Sequence, residues 1–375
     1  MKASSPLVSV FIPYYNDRAF LRDSIESVLN QSYENFELVL LNHASTDDSR
    51  KIARSYNDPR IRHIDVEKNL GAGSGVLMLK FLEIARGKYA KLFCADDIMR
   101  PQCIEILVDY LEKNSDWDIV SADVEYVDAE KKSLGTKWSL QRPSFSFEND
   151  LFESLKFLFA GISFVSYPAS LIRIESLKQA DIDKSFVMMM DMGIWADLLI
   201  KGKKLVFVKD VVVDYRIHNL QASSSANAPV VYRRSFFESL KFCEYFYKIR
   251  DFETLKFLCP DSPFIDKMDE NDVDMFEFVI AHHYLTCGNE TYKINGYLHM
   301  HDILQDDVLR YKTEKRFGFG IKEFRAIYST PLPFDAAPKS LGLFKLLYLL
   351  FRRLWIIITF KEIKRKWRRK TAYTE

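Results

Sequence analysis

The sequence has no uninterrupted apolar stretch long enough to cross a membrane. Residues Leu341 to Phe360 are largely apolar, but three basic residues interrupt them, and a spanning helix needs about 20 mostly apolar residues. Residues Met1 to Pro6 lack the apolar stretch and the cleavage site of a secretory signal peptide. The sequence therefore predicts a cytoplasmic chain that is not inserted in the bilayer.

Paired cysteine motifs and the dinucleotide-binding glycine pattern are also missing. Gly71, Gly73 and Gly75 do not have the G-x-G-x-x-G spacing, so we discount a dinucleotide-binding loop. No CxxC pair occurs, which argues against a zinc knuckle and a disulfide framework and favours a reducing compartment. The five cysteines are odd in number and widely spread: Cys94, Cys103, Cys243, Cys259 and Cys287.

Charge is nearly balanced over the chain but unevenly distributed along it. The formal net charge is +1, yet residues 339–375 carry eleven Lys or Arg against two Glu. Residues 336–375 therefore predict a basic amphipathic tail that contacts an anionic membrane surface, with Trp355 and Trp367 at the interface. The alternative is a helix docked on the body with solvated charges. No other segment supports nucleic-acid binding.

The alternation of strand and helix patterns predicts an α/β fold with a mostly parallel, doubly wound sheet. The α/β fold is predicted to span residues 1–220, and an aromatic-rich helical region is predicted to span residues 221–335. The aromatic side chains of the runs 236–247 and 276–284 are predicted to pack in the core rather than to form a surface on which a sugar stacks. The histidines at 282, 283, 299 and 301 favour structural or surface roles. The predicted strands are Leu7–Ile12, Phe36–Leu41, Ile61–Val66, Tyr89–Cys94 and Asp118–Tyr126.

Two adjacent acids, Asp96 and Asp97, directly follow the predicted strand Tyr89–Cys94. In open α/β sheets, ligands bind at the carboxyl ends of the strands. Mg²⁺ and Mn²⁺ prefer oxygen ligands, usually one or two carboxylates with substrate phosphates. The pair therefore predicts a divalent-metal site, whereas an isolated pair of this kind is more often a solvated turn that caps the helix near Pro101.

Seven ordered segments around this pair resemble the family 2 glycosyltransferases of the GT-A fold. The resemblance covers roughly residues 6–220 and implies that Asp97 ligates Mn²⁺ or Mg²⁺ and that Asp96 contacts the ribose or the metal shell. It also implies that Pro13, Tyr15 and the loop from Asn42 to Ala44 border the nucleobase. The matching segments are V8-S-V-F-I-P-Y-Y-N16, S24-I-E-S-V-L-N-Q-S-Y33, F36-E-L-V-L-L41, A44-S-T-D-D-S49, N69-L-G71, G87-K-Y89 and A95-D-D97.

Two later segments complete the resemblance. The string M190-D-M-G-I-W195 resembles the family's acid-acid-x-x-x-Trp segment, which implies that Asp191 is the catalytic base. A helix start favours its ionised form, whereas its methionine neighbours oppose ionisation. Arg216-Ile217-His218 resembles the family's Arg-x-His closure, in which His218 binds metal or diphosphate and Arg216 pairs with phosphate. The alternatives for the base are Asp181, Asp183 and Asp197.

The sequence also departs from the family pattern. Asn42 and His43 stand where the family usually has two aspartates, and Val76 and Met190 replace an expected cation and acid. We predict an inverting transferase that moves a sugar from a nucleotide-diphosphate donor, with UDP favoured, to a glycan or lipid-linked acceptor of a bacterial surface polysaccharide. Two alternatives are a catalytically weak sugar-nucleotide-binding protein and a membrane scaffold.

Overall fold

The computed structural model describes residues 5–71, 75–139, 151–218 and 228–328. The chain forms two compact units, residues 1–312 and 313–375. The helices that lie between Ala228 and residue 312 therefore belong to the same unit as the sheet. The domain boundaries predicted at 220 and 335 stay predictions. The predicted tail, 336–375, lies outside the described residues, and no described helix is long and apolar enough to span a membrane.

One nine-stranded mixed sheet organises the first unit, in the order β3-β2-β1-β4-β8-β6-β9-β5, with β7 paired to β6. The pairings run β1, β2, β3, β4, β6 and β9 in one direction and β5, β7 and β8 in the other. The predicted α/β class and mostly parallel sheet are therefore confirmed. The strands are β1 Val8–Tyr14, β2 Phe36–Asn42, β3 Ile61–Asp65, β4 Tyr89–Leu92, β5 Ile98–Met99, β6 Ile119–Val127, β7 Ser133–Lys137, β8 Ser170–Arg173 and β9 Leu205–Arg216.

Thirteen α-helices are present among the described residues, and six of them follow the last strand. They are α1 Leu21–Leu29, α2 Ser49–Arg54, α3 Gly75–Ile84, α4 Cys103–Lys113, α5 Leu151–Phe159, α6 Ile174–Leu177, α7 Met190–Ile200, α8 Ala228–Phe242, α9 Phe252–Leu258, α10 Phe276–Thr286, α11 Glu290–Gln305, α12 Asp307–Phe317 and α13 Ile321–Tyr328.

The main core lies between the sheet and the helices that connect its strands. Val10 of β1 and Leu38 of β2 are fully buried, and Ile25 of α1 and Leu107 of α4 pack in the same cluster. Strands covered on both faces have no polar alternation, which explains why β1 and β2 are nearly continuous apolar runs in the sequence. This core fixes the carboxyl ends of the parallel strands along one edge.

The later helices pack around aromatic side chains. Phe242, Phe246 and Tyr284 are buried, as the sequence predicted, but Phe237 is 55% exposed. Helices α10 and α11 approach closely at Gly296, where an added Cβ would lie 2.5 Å from the carbonyl oxygen of residue 281. A glycine is therefore required at this crossing.

The structure differs from the predicted elements in the short antiparallel strands. Strands β5, β7 and β8 were not predicted, because they have two to five residues and depend on distant partners. Asp17 lies four residues before α1, where an aspartate often caps a helix, but its carboxylate accepts the N–H of Tyr15 at 2.8 Å and makes no capping hydrogen bond. The side chain turns back toward the end of β1 rather than forward to the helix.

Candidate active site

The loops after β1 and β2 lie side by side at the carboxyl edge of the sheet. Asn16 and Ala44 both have left-handed backbone conformations, with φ of 57° and 56°. The side-chain oxygen of Asn16 accepts the N–H of Thr46 at 2.8 Å, and the Asn16 N–H donates to Ser45 Oγ at 3.2 Å. Unfavourable backbone conformations of this kind persist where surrounding contacts hold them, and they concentrate at functional sites.

Asp97 is a buried carboxylate whose hydrogen bonding is incomplete. It is 1% exposed, and its Oδ1 accepts the backbone N–H of Arg216 at 2.9 Å. No nitrogen or oxygen donor of the described residues reaches its Oδ2. Burial raises the pKa of Asp97 well above its ordinary value, and the charge of Asp96 raises it further.

Asp96, Asp97 and Cys94 form a cluster in which one ligand atom of each lies within 4.8 Å of the others. Two carboxylates with an unsatisfied oxygen fit a hard divalent cation, because the cation would compensate the buried charge. Burial raises the pKa of the Cys94 thiol well above its ordinary value, so the two carboxylates, rather than the thiol, are the groups of this cluster that could hold a cation.

Arg216 ends β9 and His218 follows it by two residues. Both lie in this region, but they make different contacts. The Nε2 of His218 lies 3.0 Å from Asp96 Oδ2, and its ring packs 4.3 Å from the ring of Phe20. The guanidinium of Arg216 is buried and pairs with Asp23 at 2.9 Å. The structure therefore gives Arg216 a partner inside the protein. Its predicted contact with phosphate and the metal role of His218 stay predictions.

Asn42 ends β2 and His43 follows it, at the two positions where the family commonly has acids. Both ends of the Asn42 amide are engaged, since Nδ2 donates to Asp65 at 2.8 Å and Oδ1 accepts the Ser45 N–H at 2.9 Å. The Nε2 of His43 accepts the N–H of Leu70 at 2.7 Å, and burial lowers the pKa of this imidazole. His43 is therefore neutral, with its proton on Nδ1.

The side chains of Pro13 and Tyr15 lie at the end of β1 beside this loop. Pro13 is half-buried, whereas Tyr15 is 43% exposed and its ring lies 6.2 Å from that of His43 in an edge arrangement. Pro13, Tyr15, Asn42 and His43, which were predicted to border the nucleobase, are thus grouped at one place. Asn42 shapes the loop, and the predicted contacts with the base stay predictions.

Asp191 lies in the first turn of α7, a helix that is buried on nearly all sides. Its Oδ1 accepts the N–H of Met192 at 2.8 Å. Burial raises the pKa of Asp191 to about 6, and the charge of Glu238 adds to the increase. Desolvation therefore outweighs the helix dipole, and Asp191 is still ionised at neutral pH.

The three alternative bases are all engaged in other contacts. Asp197 is 1% exposed and pairs with Lys201 at 2.6 Å and Lys248 at 3.3 Å. Asp181 also pairs with Lys248, at 2.7 Å, and Asp183 accepts the N–H and the hydroxyl of Ser185. A carboxylate held by lysines is a weaker base than one raised by desolvation, so Asp191 is the better candidate.

Two residues that sequence reasoning missed lie close to the predicted site. Burial raises the pKa of Tyr167 well above its ordinary value, and its proximity to Cys94 and Asp191 raises it further. Tyr167 thus lies within electrostatic range of both the acidic cluster and the candidate base. Burial likewise raises the pKa of Asp17 to about 7, with Asp96 contributing. No local pattern in the sequence signals either residue.

Glu238, from α8, holds the segment that leads into α7. Its carboxylate is buried and accepts three consecutive backbone N–H groups, from Val187 at 3.0 Å and from Met188 and Met189 at 2.8 Å each. Such groups precede a helix and otherwise lack partners. The helical region therefore fixes the start of the helix that carries Asp191.

His299 makes a separate polar cluster on α11. Its two ring nitrogens lie 3.0 Å from Glu244 and 2.6 Å from Glu277, and its ring stacks on Tyr247 at 3.7 Å. Burial lowers the pKa of His299, but the two glutamates outweigh it and raise the pKa to about 9. This arrangement agrees with the structural role that the sequence favoured.

Comparison with known proteins gives the same family as the sequence motifs. The family described as Glycosyl transferase family 2 matches residues 9–180. An uncharacterized glycosyltransferase of Rickettsia prowazekii is 31% identical over 224 residues, which are 59% of this chain and 67% of the relative. TuaG of Bacillus subtilis, a glycosyltransferase whose name assigns it to teichuronic acid biosynthesis, is 36% identical over 112 residues, 29% of this chain and 44% of TuaG.

A solved structure supports the fold. The structure of S. aureus TarS, residues 1–349, in complex with UDP-GlcNAc, has a TM-score of 0.52 and covers 86% of this chain and 90% of the TarS chain. The sequence identity is 14%, so this likeness shows the fold alone.

Proposed function

The chain belongs to glycosyltransferase family 2, and on this premise we propose that it transfers a sugar from a nucleotide-diphosphate donor, with inversion, to a glycan or lipid-linked acceptor. The single observation that carries this proposal is the pair Asp96 and Asp97 at the end of β4. One buried oxygen of Asp97 has no nitrogen or oxygen hydrogen-bond donor among the described residues. A UDP-sugar is the donor we favour, in line with the nucleotide sugar named for TarS.

Asp96 and Asp97 would hold a divalent cation, Mn²⁺ or Mg²⁺, and the cation would stabilise the negative charge that develops on the leaving diphosphate. The protein's own part is to fix both carboxylates. The Arg216 N–H orients Asp97, and His218 orients Asp96. The guanidinium of Arg216 in turn ties β9 to Asp23 of α1, so the two elements that flank the pair cannot separate easily.

Asp191 would remove the proton from the acceptor hydroxyl. A base works best when its pKa lies near the working pH, and burial has moved the pKa of Asp191 to about 6. The three N–H bonds to Glu238 fix the backbone that precedes it. The other three candidate acids are held by lysines or by a serine, which supports the choice of Asp191.

The place of the reaction is proposed from the name of a relative and from the charge of residues 339–375. The name of TuaG supports a role in a bacterial cell-surface polysaccharide. The net charge of +9 in residues 339–375 supports a peripheral position on the inner, anionic face of the plasma membrane.

Calorimetry with a panel of nucleotide sugars, with and without Mn²⁺, tests the donor half of the proposal. Asp191→Asn then tests the chemical half: it should keep donor affinity and lose transfer by about 10² or more. Asp183→Asn is the matched control and should retain turnover. Turnover at the normal rate in Asp191→Asn would exclude the assigned base, and donor binding without any turnover in the wild type would favour a sugar-nucleotide-binding protein.

A further inference from the structure

An open groove of about 570 Å³ lies between α8 and the segment that precedes α7. Four positions of α8, at 234, 237, 238 and 241, are spaced three and four residues apart and therefore share one face of the helix. The opposite wall is residues 185–187. The complete lining is Ser185, Phe186, Val187, Arg233, Arg234, Phe237, Glu238 and Lys241.

Glu238 connects this groove to the candidate base. The carboxylate lines the groove, yet it is 8% exposed and is occupied by the N–H groups of Val187, Met188 and Met189. Asp191 follows two residues after this segment, and the charge of Glu238 raises the pKa of Asp191. The groove is thus next to the start of the helix that carries the base, which is where an acceptor hydroxyl has to arrive.

The groove wall is cationic where a ligand can reach it. Arg233, Arg234 and Lys241 are exposed, whereas the only acid of the lining is turned toward backbone N–H groups. Phe237 lies between these cations in sequence and is 55% exposed. A surface that combines cations with an exposed aromatic ring suits a ligand with anionic groups and an apolar face.

We propose that this groove binds the acceptor and that the acceptor is an anionic glycan, whose phosphate or carboxylate groups pair with Arg234 and Lys241. Phe237 contacts the apolar face of a sugar ring between them. The inference rests on the proposed function, because it takes Asp191 as the base that the acceptor must reach. It adds a substrate class and a contribution of the helical region to substrate binding.

An anionic membrane is the other ligand that cations and an exposed aromatic ring could attract. The shape of the groove favours the glycan, because the cations lie on the wall of a concavity. A flexible chain can enter such a concavity, whereas a flat bilayer surface contacts convex features. The position of the groove beside Asp191 also favours a glycan, since a contact with a membrane would need no catalytic base.

Fluorescence anisotropy with the full chain tests the proposal with labelled oligomers of equal length. The probes are a glycerol-phosphate oligomer, a glucuronate oligomer and a neutral glucose oligomer. The wild type should bind at least one anionic oligomer, more weakly as salt rises, and should prefer it to the neutral one. The anionic oligomer that binds more tightly identifies whether phosphate or carboxylate is the recognised group.

The double variant Arg234→Gln/Lys241→Gln should weaken this binding about tenfold, the loss expected for two partly solvated charge pairs. Lys256→Gln, an exposed lysine of α9 outside the groove, is the matched control and should bind normally. Calorimetry with the donor separates the two proposals, because a failure of donor binding contradicts the proposed function and leaves the oligomer result unaffected.

Three results would overturn the inference. They are the absence of anionic-oligomer binding in the wild type, equal affinity in the wild type and the double variant, and an equal loss in Lys256→Gln. Co-sedimentation with anionic vesicles is the last arm. If the double variant loses vesicle binding and keeps oligomer binding, the groove serves the membrane and the proposal is wrong.

Discussion

Replacing Asp97 with asparagine removes a buried charge and keeps the shape of the side chain. In the wild type without metal, this carboxylate is 1% exposed, has Asp96 beside it, and has an Oδ2 that no described nitrogen or oxygen donor reaches. If the site binds a divalent cation, the folded protein without metal has a free-energy cost that binding of the cation removes. The variant should therefore be more stable than the wild type without metal and less stable with it.

The size of both effects can be worked out. A buried polar group that lacks its partner costs about 1–3 kcal/mol, and a charged one costs more. Asparagine keeps a polar end here but removes the charge and its repulsion with Asp96, so the exchange should relieve about 1–3 kcal/mol. One kcal/mol corresponds to about 2–4 °C in Tm for a unit of roughly this size. Asp97→Asn should therefore raise the Tm of the metal-free protein by several degrees. A cation at 100 times its Kd stabilises the wild type by about 2.7 kcal/mol, and the variant should lose most of this gain.

Thermal unfolding in EDTA and in excess MnCl₂, for the wild type and the variant, measures the four stabilities. Asp48→Asn is the control, because Asp48 is exposed and its side chain makes no capping hydrogen bond. The order of stability of the wild type and Asp97→Asn should reverse between the two conditions. If Asp97→Asn is less stable in EDTA, or gains as much from MnCl₂ as the wild type, the assignment of Asp97 as a metal ligand fails.

Three further predictions concern the helical region. Glu238→Gln should move the acid limb of the transfer rate below its wild-type position near pH 6, since losing this charge lowers the pKa of Asp191; an unchanged pH profile would contradict the coupling. The folded pKa of His299, about 9, lies above its ordinary value of about 6.5. Protonated His299 should contribute about 2 kcal/mol, after solvent screening, to the free energy of unfolding below pH 6.5, and this contribution should be lost as the pH rises to 9. The free energy of unfolding of His299→Gln, measured with urea, should not show this decrease with pH. Gly296→Ala should cost about 1–3 kcal/mol in the same assay, whereas Gly288→Ala, where an added Cβ meets nothing within 4 Å, should be nearly neutral.

The parallel part of the sheet was predictable from local sequence. Strands such as β1 and β2 are buried on both faces, so each is a nearly continuous apolar run that stands out against the amphipathic helices around it. The acids after β4 followed from the same logic, because the turn between β4 and β5 brings Asp96 and Asp97 to the ligand-binding edge.

The remaining features depend on contacts between residues far apart in the chain. Strand β8 has four residues and is defined by its neighbours β4 and β6, so no period within it could identify it. Glu238 lies about 50 residues after the N–H groups that it accepts. His299 finds its glutamates 22 and 55 residues away. No spacing rule relates such partners.

The place of β8 in the sheet has a consequence for the order in which the protein can fold during synthesis. Strands β3, β2, β1 and β4 can pair as soon as residue 92 has left the ribosome, because each neighbour is already present. Strand β6 follows at residue 119 but has no direct pairing with β4, and β8 joins the two only after residue 170. Until then the edges of β4 and β6 that β8 will cover stay open, and open strand edges are sites for pairing with another chain. The nascent protein is therefore most exposed to aggregation during roughly the 80 residues between β4 and β8, and a chaperone that binds extended segments would act in that interval.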